Sequence, residues 1–200
     1  MFFLSDYRLR NIGPYDSALL LDWHNSEHVR AASFHDCSMT SQSHQQWLDS
    51  IANDPRSTRL VLESHGHPLG LLTFTNMERR DSTVHWGFYL GDPTLPKGTG
   101  SVLTYCGLEY AFGELRTRKI IAEVLASNLR SIKLHEKLGF ICEGHFREQV
   151  FKNGEYHDVL RFALFACDWR GRFRSALGQT LFFDYASKCV SGPDITDAKR

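Results

Sequence analysis

The sequence predicts a mixed α/β fold organised as one domain, and three observations carry that prediction. The chain has 200 residues, 42% of them hydrophobic, which is enough for one sizeable core and crowded for two full domains. Helical and extended patterns alternate from end to end. No internal repeat or low-complexity tract interrupts them.

Taken in order, residues 7–12 read as a first strand, and after Pro14 a long helical pattern runs through Leu19, Leu20, Trp23 and Val29. A second helix begins near Thr40, whose hydroxyl is suited to cap it, and carries Trp47, Leu48 and Ile51. Three extended runs, 59–63, 69–76 and 84–90, are parted by His65-Gly66-His67-Pro68 and by the charged stretch 78–81, and read as a meander. Then come Gly98-Thr99-Gly100, a helix near 101–115, a strand over 119–125, a helix over 129–138, and two strands joined at Asn153-Gly154. Asn-Gly supplies the positive φ angles of a tight hairpin turn.

Beyond Trp169 the composition shifts to Arg170, Arg172 and Arg174, then Leu177, Leu181, Phe182 and Phe183, and finally a polar end over 191–200. The division drawn from this is a domain over 1–169 and a C-terminal extension over 170–200. The extension is read as partly an amphipathic helix, docking on the domain or on a second subunit of a homodimer, with a mobile end.

Charge and cysteine usage narrow the function classes. Lys plus Arg equals Asp plus Glu at 23 each, so no global field gathers nucleic acid or an anionic membrane, and an anionic ligand has to be held by local groups. Cys37, Cys106, Cys142, Cys167 and Cys189 are spread out, odd in number and lack C-x-x-C spacing, which points to neither a disulfide framework nor a zinc knuckle and fits a reducing compartment. The start turns polar at Ser5, too early for a signal-peptide core, and no later apolar run approaches spanning length. A cytosolic protein is expected.

Two segments carry the chemistry. Gly98-Thr99-Gly100 precedes the apolar helix of Val102, Leu103, Leu108, Ala111 and Phe112, where backbone N–H groups and the helix N-terminus favour a phosphate. By itself the same pattern fits a plain loop before a helix. The segment 128–140 is more specific, with Asn128 as a good N-cap and Gly139 as a good C-terminal stop. At 3.6 residues per turn Arg130, Lys133, Glu136 and Lys137 share the wet face, and Ser131 and His135 fall in the middle of the apolar one. Left unpaired, each inward polar group costs on the order of 1 to 3 kcal/mol, so the two either bond to each other and to backbone or face a ligand.

Asn128-x-x-Ser131-Ile132-x-Leu134-x-x-Lys137-Leu138-Gly139-Phe140, with Gly98-x-Gly100 upstream, resembles the two coenzyme-binding motifs of the GNAT N-acetyltransferases. The resemblance spans about residues 7–169. Within that family the stretches 21–30, Trp86-Gly87-Phe88-Tyr89-Leu90 and 151–158 look like the nucleotide-sugar acetyltransferases of pseudaminic acid synthesis. It implies a GNAT fold, a central mixed and mostly antiparallel sheet with splayed central strands flanked by helices, and acetyl-CoA as co-substrate with no metal. It further implies that Phe88, Tyr89 and Leu90 offer backbone to the pantetheine, that Lys97, Gly98, Thr99, Gly100 and Ser101 hold the diphosphate, and that Asn128 and Ser131 face the coenzyme. Leu95 stands where the family's pyrophosphate loop usually begins with a polar residue.

The resemblance also distributes the catalytic roles. Glu123 matches a strand glutamate that acts as a base through water, and apolar strand neighbours would raise its pKa by desolvation. His135 stands where many members carry a tyrosine that protonates the departing thiolate. Arg30, His44, Trp47, Thr75 and Asn76 are expected to border the amine-side cleft, Arg30 and Trp47 being suited to the diphosphate and base of a nucleotide sugar. The expected reaction is acetyl transfer to the 4-amino group of a UDP-linked 4-amino-4,6-dideoxy sugar. A peptide or ribosomal protein N-terminal amine is the alternative acceptor, and a silent coenzyme-binding module the alternative from another class. His24-Asn25-Ser26-Glu27-His28 satisfies an H-x-x-E-H zinc pattern, but no convincing third ligand follows it.

Overall fold

The computed structural model describes residues 1–52 and 54–185. Seven strands form one sheet in the order β1-β2-β3-β4-β5-β7-β6. They are β1 (Tyr7–Asn11), β2 (Thr58–Ser64), β3 (His67–Glu78), β4 (Thr83–Leu90), β5 (Lys119–Leu125), β6 (Ile141–Lys152) and β7 (Glu155–Phe165). Only β4 and β5 run parallel; every other neighbouring pair is antiparallel, so the sheet is mixed and mostly antiparallel as expected. The β6–β7 turn takes the positive φ angles predicted for Asn153 and Gly154, 51° and 84°.

Strand alternation sends side chains to two helical layers. On one face Leu60, Leu62, Leu72, Phe74, Val84, Trp86, Ile120, Ala122 and Val124 form the main core with α4 (Thr99–Gly113) and α5 (Leu129–Leu138). On the other face Val61 and Leu71 pack with Leu20 and Trp23 of α1 (Ser17–Asn25). Helix α3 (Ser41–Ala52) starts where Thr40 caps it, its Oγ1 accepting the Ser43 N–H at 3.1 Å.

The long helix read after Pro14 is two helices. At Ser26 the backbone becomes extended, with φ −62° and ψ 142°, and its hydroxyl donates to the Trp23 carbonyl at 2.6 Å. Ser26 ends α1 and begins α2 (Glu27–Ala32). A serine inside a helical pattern offers the backbone a competing partner, and here that competition wins.

Lys152 fixes where α2 ends. It is 4% exposed, and its Nζ donates to the carbonyls of Arg30 (2.8 Å), Ala31 (2.9 Å) and Ser33 (2.6 Å), tying the β6–β7 hairpin to the carbonyl end of α2. A cation placed there satisfies groups that a helix terminus leaves open.

Past β7 the chain continues as α6 (Ala166–Asp168), a π-helical turn over Trp169–Phe173 and α7 (Arg174–Leu181). Trp169, Leu177, Leu181, Phe182 and Tyr185 belong to the main core. Arg174 grips both oxygens of Glu109 on α4, the closest contact being 2.7 Å. The segment 186–200, with Cys189 and the polar end, lies outside the described residues. No helix among the described residues is long and apolar enough to cross a membrane.

Replacing Lys152 by Met leaves three carbonyls short of their buried donor. Lys152→Met is expected to lower unfolding free energy by about 2 to 4 kcal/mol in urea titration, while Glu155→Gln on the exposed turn stays within about 0.5 kcal/mol. Equal stability of Lys152→Met and the unaltered chain would remove the anchoring role.

Candidate active site

The parallel pairing of β4 with β5 runs from Thr83–Lys119 to Trp86–Ala122 and stops there. Strand β4 stays paired to β3 as far as Leu90, and β5 stays paired to β7 as far as Leu125. The two central strands therefore part, and the β5-facing amides and carbonyls of β4 beyond Trp86 lose their ladder partners. Next to the opening lies a cleft of about 410 Å³ lined by Phe88, Tyr89, Leu90, Gly100, Asn128, Ser131 and Leu134, with Val29, Ala31 and Ala32 of α2 opposite.

Two helix N-termini meet in this cleft, that of α4 at Gly100 and that of α5 at Asn128. Gly98 precedes α4 with φ 103°, a left-handed conformation that favours glycine. Thr99 is buried and its hydroxyl donates to the Pro96 carbonyl at 2.8 Å, so its side chain locks the loop rather than meeting a ligand. Gly100 and Ser101 sit in the first turn of α4, where N–H groups lack intrahelical acceptors, while Lys97 is exposed beside them. Asn128 serves α5 directly, its Oδ1 accepting the Ser131 N–H at 3.1 Å.

His135 does not face the cleft. It is 2% exposed, Nε2 accepts the Trp86 indole N–H at 3.3 Å, and Nδ1–H donates to the Ser131 carbonyl at 2.8 Å. Rings of Trp86, Phe88, Phe140 and Phe162 surround it at 5.0 to 5.8 Å. Burial holds its pKa down to about 4, with the Ser131 bond opposing the shift, so the imidazole is neutral at physiological pH with both nitrogens engaged. The expectation that it protonates a thiolate is corrected accordingly: it is a core histidine beneath the parting strands. Of the two readings of the Ser131–His135 pair, the internal one accounts for His135, while Ser131 also lines the cleft.

Glu123 is the first β5 residue past the last β4–β5 pair, and its neighbours Ala122 and Val124 point into the main core, so Glu123 faces the opposite layer. The desolvated carboxylate expected from its apolar neighbours is instead an ion pair. Arg161 Nε and Nη2 both donate to Oε1, at 3.0 and 2.6 Å, which leaves Oε2 open to a water. His85, half-buried on the same side of β4, has its pKa lowered by burial and partly restored by Glu123.

The residues expected on the amine side separate into three places. Arg30 sends Nη2 to the Asp36 carbonyl while its neighbours on α2 line the cleft. His44 and Trp47 join His24 and Tyr89 in a ring cluster, with His24 to Trp47 at 4.9 Å and His24 to Tyr89 at 5.6 Å. Thr75 pairs with His85, before the strands part, and Asn76 is exposed at a bulge with φ 50°, so neither joins the cleft.

Sequence reasoning missed His28, Asp92 and Arg130, all of which line the cleft. His28 Nε2–H donates to the Leu90 carbonyl at 3.0 Å, fixing α2 against the free end of β4. A basic residue two after a predicted N-cap was the available signal for Arg130; His28 had none, because its position depends on the break at Ser26. Among the described residues no group of three or more His, Cys, Asp or Glu could hold a metal ion.

The sheet parts at its parallel pair with two helix N-termini at the opening, and comparison with known families places the chain among the acyltransferases. The profile described as "Acetyltransferase (GNAT) domain" matches residues 7–141, and the chain belongs to that family of acyltransferases. Among curated proteins it is 28% identical to the SPbeta prophage-derived uncharacterized N-acetyltransferase YokL of Bacillus subtilis, over 78% of this chain and 88% of that one. It is 23% identical to the spermidine N(1)-acetyltransferase of Vibrio cholerae, over 84% of this chain and 98% of that one. The crystal structure of the Vibrio cholerae spermidine N-acetyltransferase in complex with CoA and spermine superposes with a TM-score of 0.78, covering 83% of this chain and 99% of that one at 23% identity.

Since His135 is neutral in the fold and titrates near 6.5 when unfolded, the stability it contributes is complete above about pH 6.5 and lost as pH falls toward about 4. Over that window His135→Phe is expected to lose about 3 kcal/mol less than the unaltered chain, against a pH-independent cost of about 1 to 3 kcal/mol for the unpaired Trp86 N–H. Urea unfolding at pH 7.5, 5.5 and 4.5 reads this. Parallel pH dependences would show that His135 is not held neutral.

Proposed function

We propose that the chain transfers the acetyl group of acetyl-CoA to a primary amine of a small molecule. The observation that carries this is the opening between β4 and β5 beside two helix N-termini in one cleft. In this reading the amides of Gly98, Gly100 and Ser101, helped by Lys97, hold the diphosphate, as a helix N-terminus holds an anion. The edge of β4 at Phe88 and Tyr89 takes the amides of the pantetheine, with Leu90, whose carbonyl is held by His28, and Ser131 bordering it.

Glu123 Oε2 removes a proton from the incoming ammonium through a water, and the neutral amine attacks the thioester carbon. A backbone N–H of β4 beyond Trp86 stabilises the oxyanion, a fixed dipole that needs no reorganisation during reaction. Collapse breaks the C–S bond, and the second nitrogen proton leaves with the sulfur or through the same water. His135 takes no part.

For the acceptor we favour the nucleotide-linked amino sugar of the sequence reading. That preference is supported by the likeness of the stretches 21–30, Trp86-Gly87-Phe88-Tyr89-Leu90 and 151–158 to the nucleotide-sugar acetyltransferases. His28, Arg130 and Asp92, whose Oδ1 accepts the Thr94 N–H and hydroxyl at 2.7 Å each, line the coenzyme cleft and do not separate the acceptors. The second reading, spermidine, rests on the similarity to the spermidine N(1)-acetyltransferases of Vibrio cholerae and Escherichia coli. A peptide N-terminus rests on the Bacillus subtilis putative ribosomal N-acetyltransferase YdaF, 25% identical over 53% of this chain.

Free-thiol release from acetyl-CoA with a UDP-4-amino-4,6-dideoxy sugar, spermidine or a peptide separates the three. Turnover with spermidine or peptide alone would sink the sugar; no turnover with any amine, together with coenzyme binding, would favour a silent module. With the acceptor that turns over, Glu123→Gln is expected to lower kcat about 100-fold with unchanged affinity for acetyl-CoA, and an unchanged kcat would remove Glu123 from the mechanism.

A further inference from the structure

The two ends of the described chain meet beside the diphosphate loop. Phe2 N–H donates to the Leu181 carbonyl at 2.8 Å, and Phe183 N–H donates to the Phe2 carbonyl at 2.9 Å. Asp184 then accepts the backbone N–H groups of Leu4 at 2.6 Å and Ser5 at 3.1 Å, and the rings of Phe3 and Phe183 lie 5.4 Å apart. This clasp closes on Gly98: a Cβ there would stand 2.9 Å from the Phe2 ring.

The clasp is anchored to the helix whose N-terminus it guards. Phe182 is 2% exposed and packs on Tyr105 of α4 at 5.1 Å, and Tyr105 in turn meets Trp169 at 5.5 Å. Phe2, the loop and α4 therefore share one support. The same C-terminal segment also reaches α5, where a Cβ on Gly139, at φ 91°, would stand 2.4 Å from the Phe173 ring. Glycine in a left-handed conformation has more freedom to lose than any other residue, and a loop that is ordered only by its ligand weakens binding by that cost.

We propose that the Phe2–Asp184 clasp is a positioning device for coenzyme binding: it holds Gly98 in the conformation that aims the loop amides at the diphosphate. Phe2 and Asp184 are positioning residues, acting through Gly98 and touching no reacting atom. The inference rests on the reading that this loop receives the diphosphate of acetyl-CoA. It gives the segment past Trp169 a role in donor affinity.

The test compares two donors in the full chain. Acetyl-CoA carries the diphosphate, and S-acetylpantetheine lacks it. Phe2→Ala and Asp184→Ala are each expected to weaken acetyl-CoA about tenfold by calorimetry, while affinity for S-acetylpantetheine by NMR titration stays within about twofold. Without any coenzyme, amide hydrogen exchange over residues 97–101 is expected to quicken about fivefold or more in both variants.

A general loss of stability would weaken both donors alike, and that result, or no change in either donor, overturns the clasp. Should Phe2→Ala fail to fold, Phe2→Leu and Asp184→Asn carry the same comparison with a smaller disturbance. If the unaltered chain binds no acetyl-CoA, the functional reading falls, and the exchange measurement still decides whether the clasp orders the loop. If Gly98→Val abolishes binding while both clasp variants bind normally, the clasp alone falls.

Discussion

The parting of β4 from β5 after Trp86 and Ala122 is the constraint on which the rest of the molecule depends. Two strands that separate in the middle of a sheet leave backbone groups unpaired, an arrangement that persists only where surrounding packing enforces it. Here the enforcement comes from below. Trp86, the last residue of β4 paired with β5, is stacked on Phe140 at 5.2 Å and hydrogen-bonded to His135 of α5. Helix α5 lays the His135 ring against Trp86 and Phe88 of β4 and Phe162 of β7, and its own N-terminus lies at the opening.

That arrangement explains why an imidazole stands where an acid was expected. A side chain buried at this depth has to be large enough to fill the space and polar enough to accept the Trp86 N–H and satisfy the Ser131 carbonyl. Neutral histidine does both, at the cost of sensitivity to acid. The layer on the other side of the sheet shows the opposite balance. Buried polar atoms of His24, His44, Arg59 and Tyr89 have no protein partner, and burial lowers the pKa of both histidines, His24 to about 4. Unpaired groups of this kind mark where water or a ligand completes the structure.

What was legible in the sequence was local. Asn128 and Gly139 bound α5 because caps are short-range signals, and Asn153-Gly154 specified its turn because positive φ is a property of single residues. The fold class followed from the alternation of patterns, and the two motif-bearing segments meet at one cleft through Gly100, Asn128 and Ser131. What stayed hidden required a partner far along the chain. The break at Ser26 is a contest between local hydrogen bonds that periodicity does not register, and it decides that His28, Val29, Ala31 and Ala32 of α2 line the cleft while Arg30 does not. The ion pair of Glu123 with Arg161 joins β5 to β7, so the apolar neighbours of Glu123 in sequence misrepresented its surroundings. Thr75 and Asn76 missed the cleft because the point where the strands part is set by sheet register, which composition does not contain.

The family match ends at residue 141, yet the core does not. Strand β7 lies between β5 and β6, so the sheet cannot close before Phe165, and Trp169 is wholly buried against α4 beyond it. The change in composition after Trp169 reflects which side of the helix meets water: Arg170 and Arg174 turn to Phe112 and Glu109 on α4, and Leu177 and Leu181 turn into the main core. Helix α4 is thus held along its length by the later segment, while its first turn is left open to an anion. A helix fixed at its sides and open at its N-terminus delivers the dipole and the free amides of that turn in one orientation, which is what a loop with only one backbone-specific residue, Gly98, has to borrow from elsewhere in the chain.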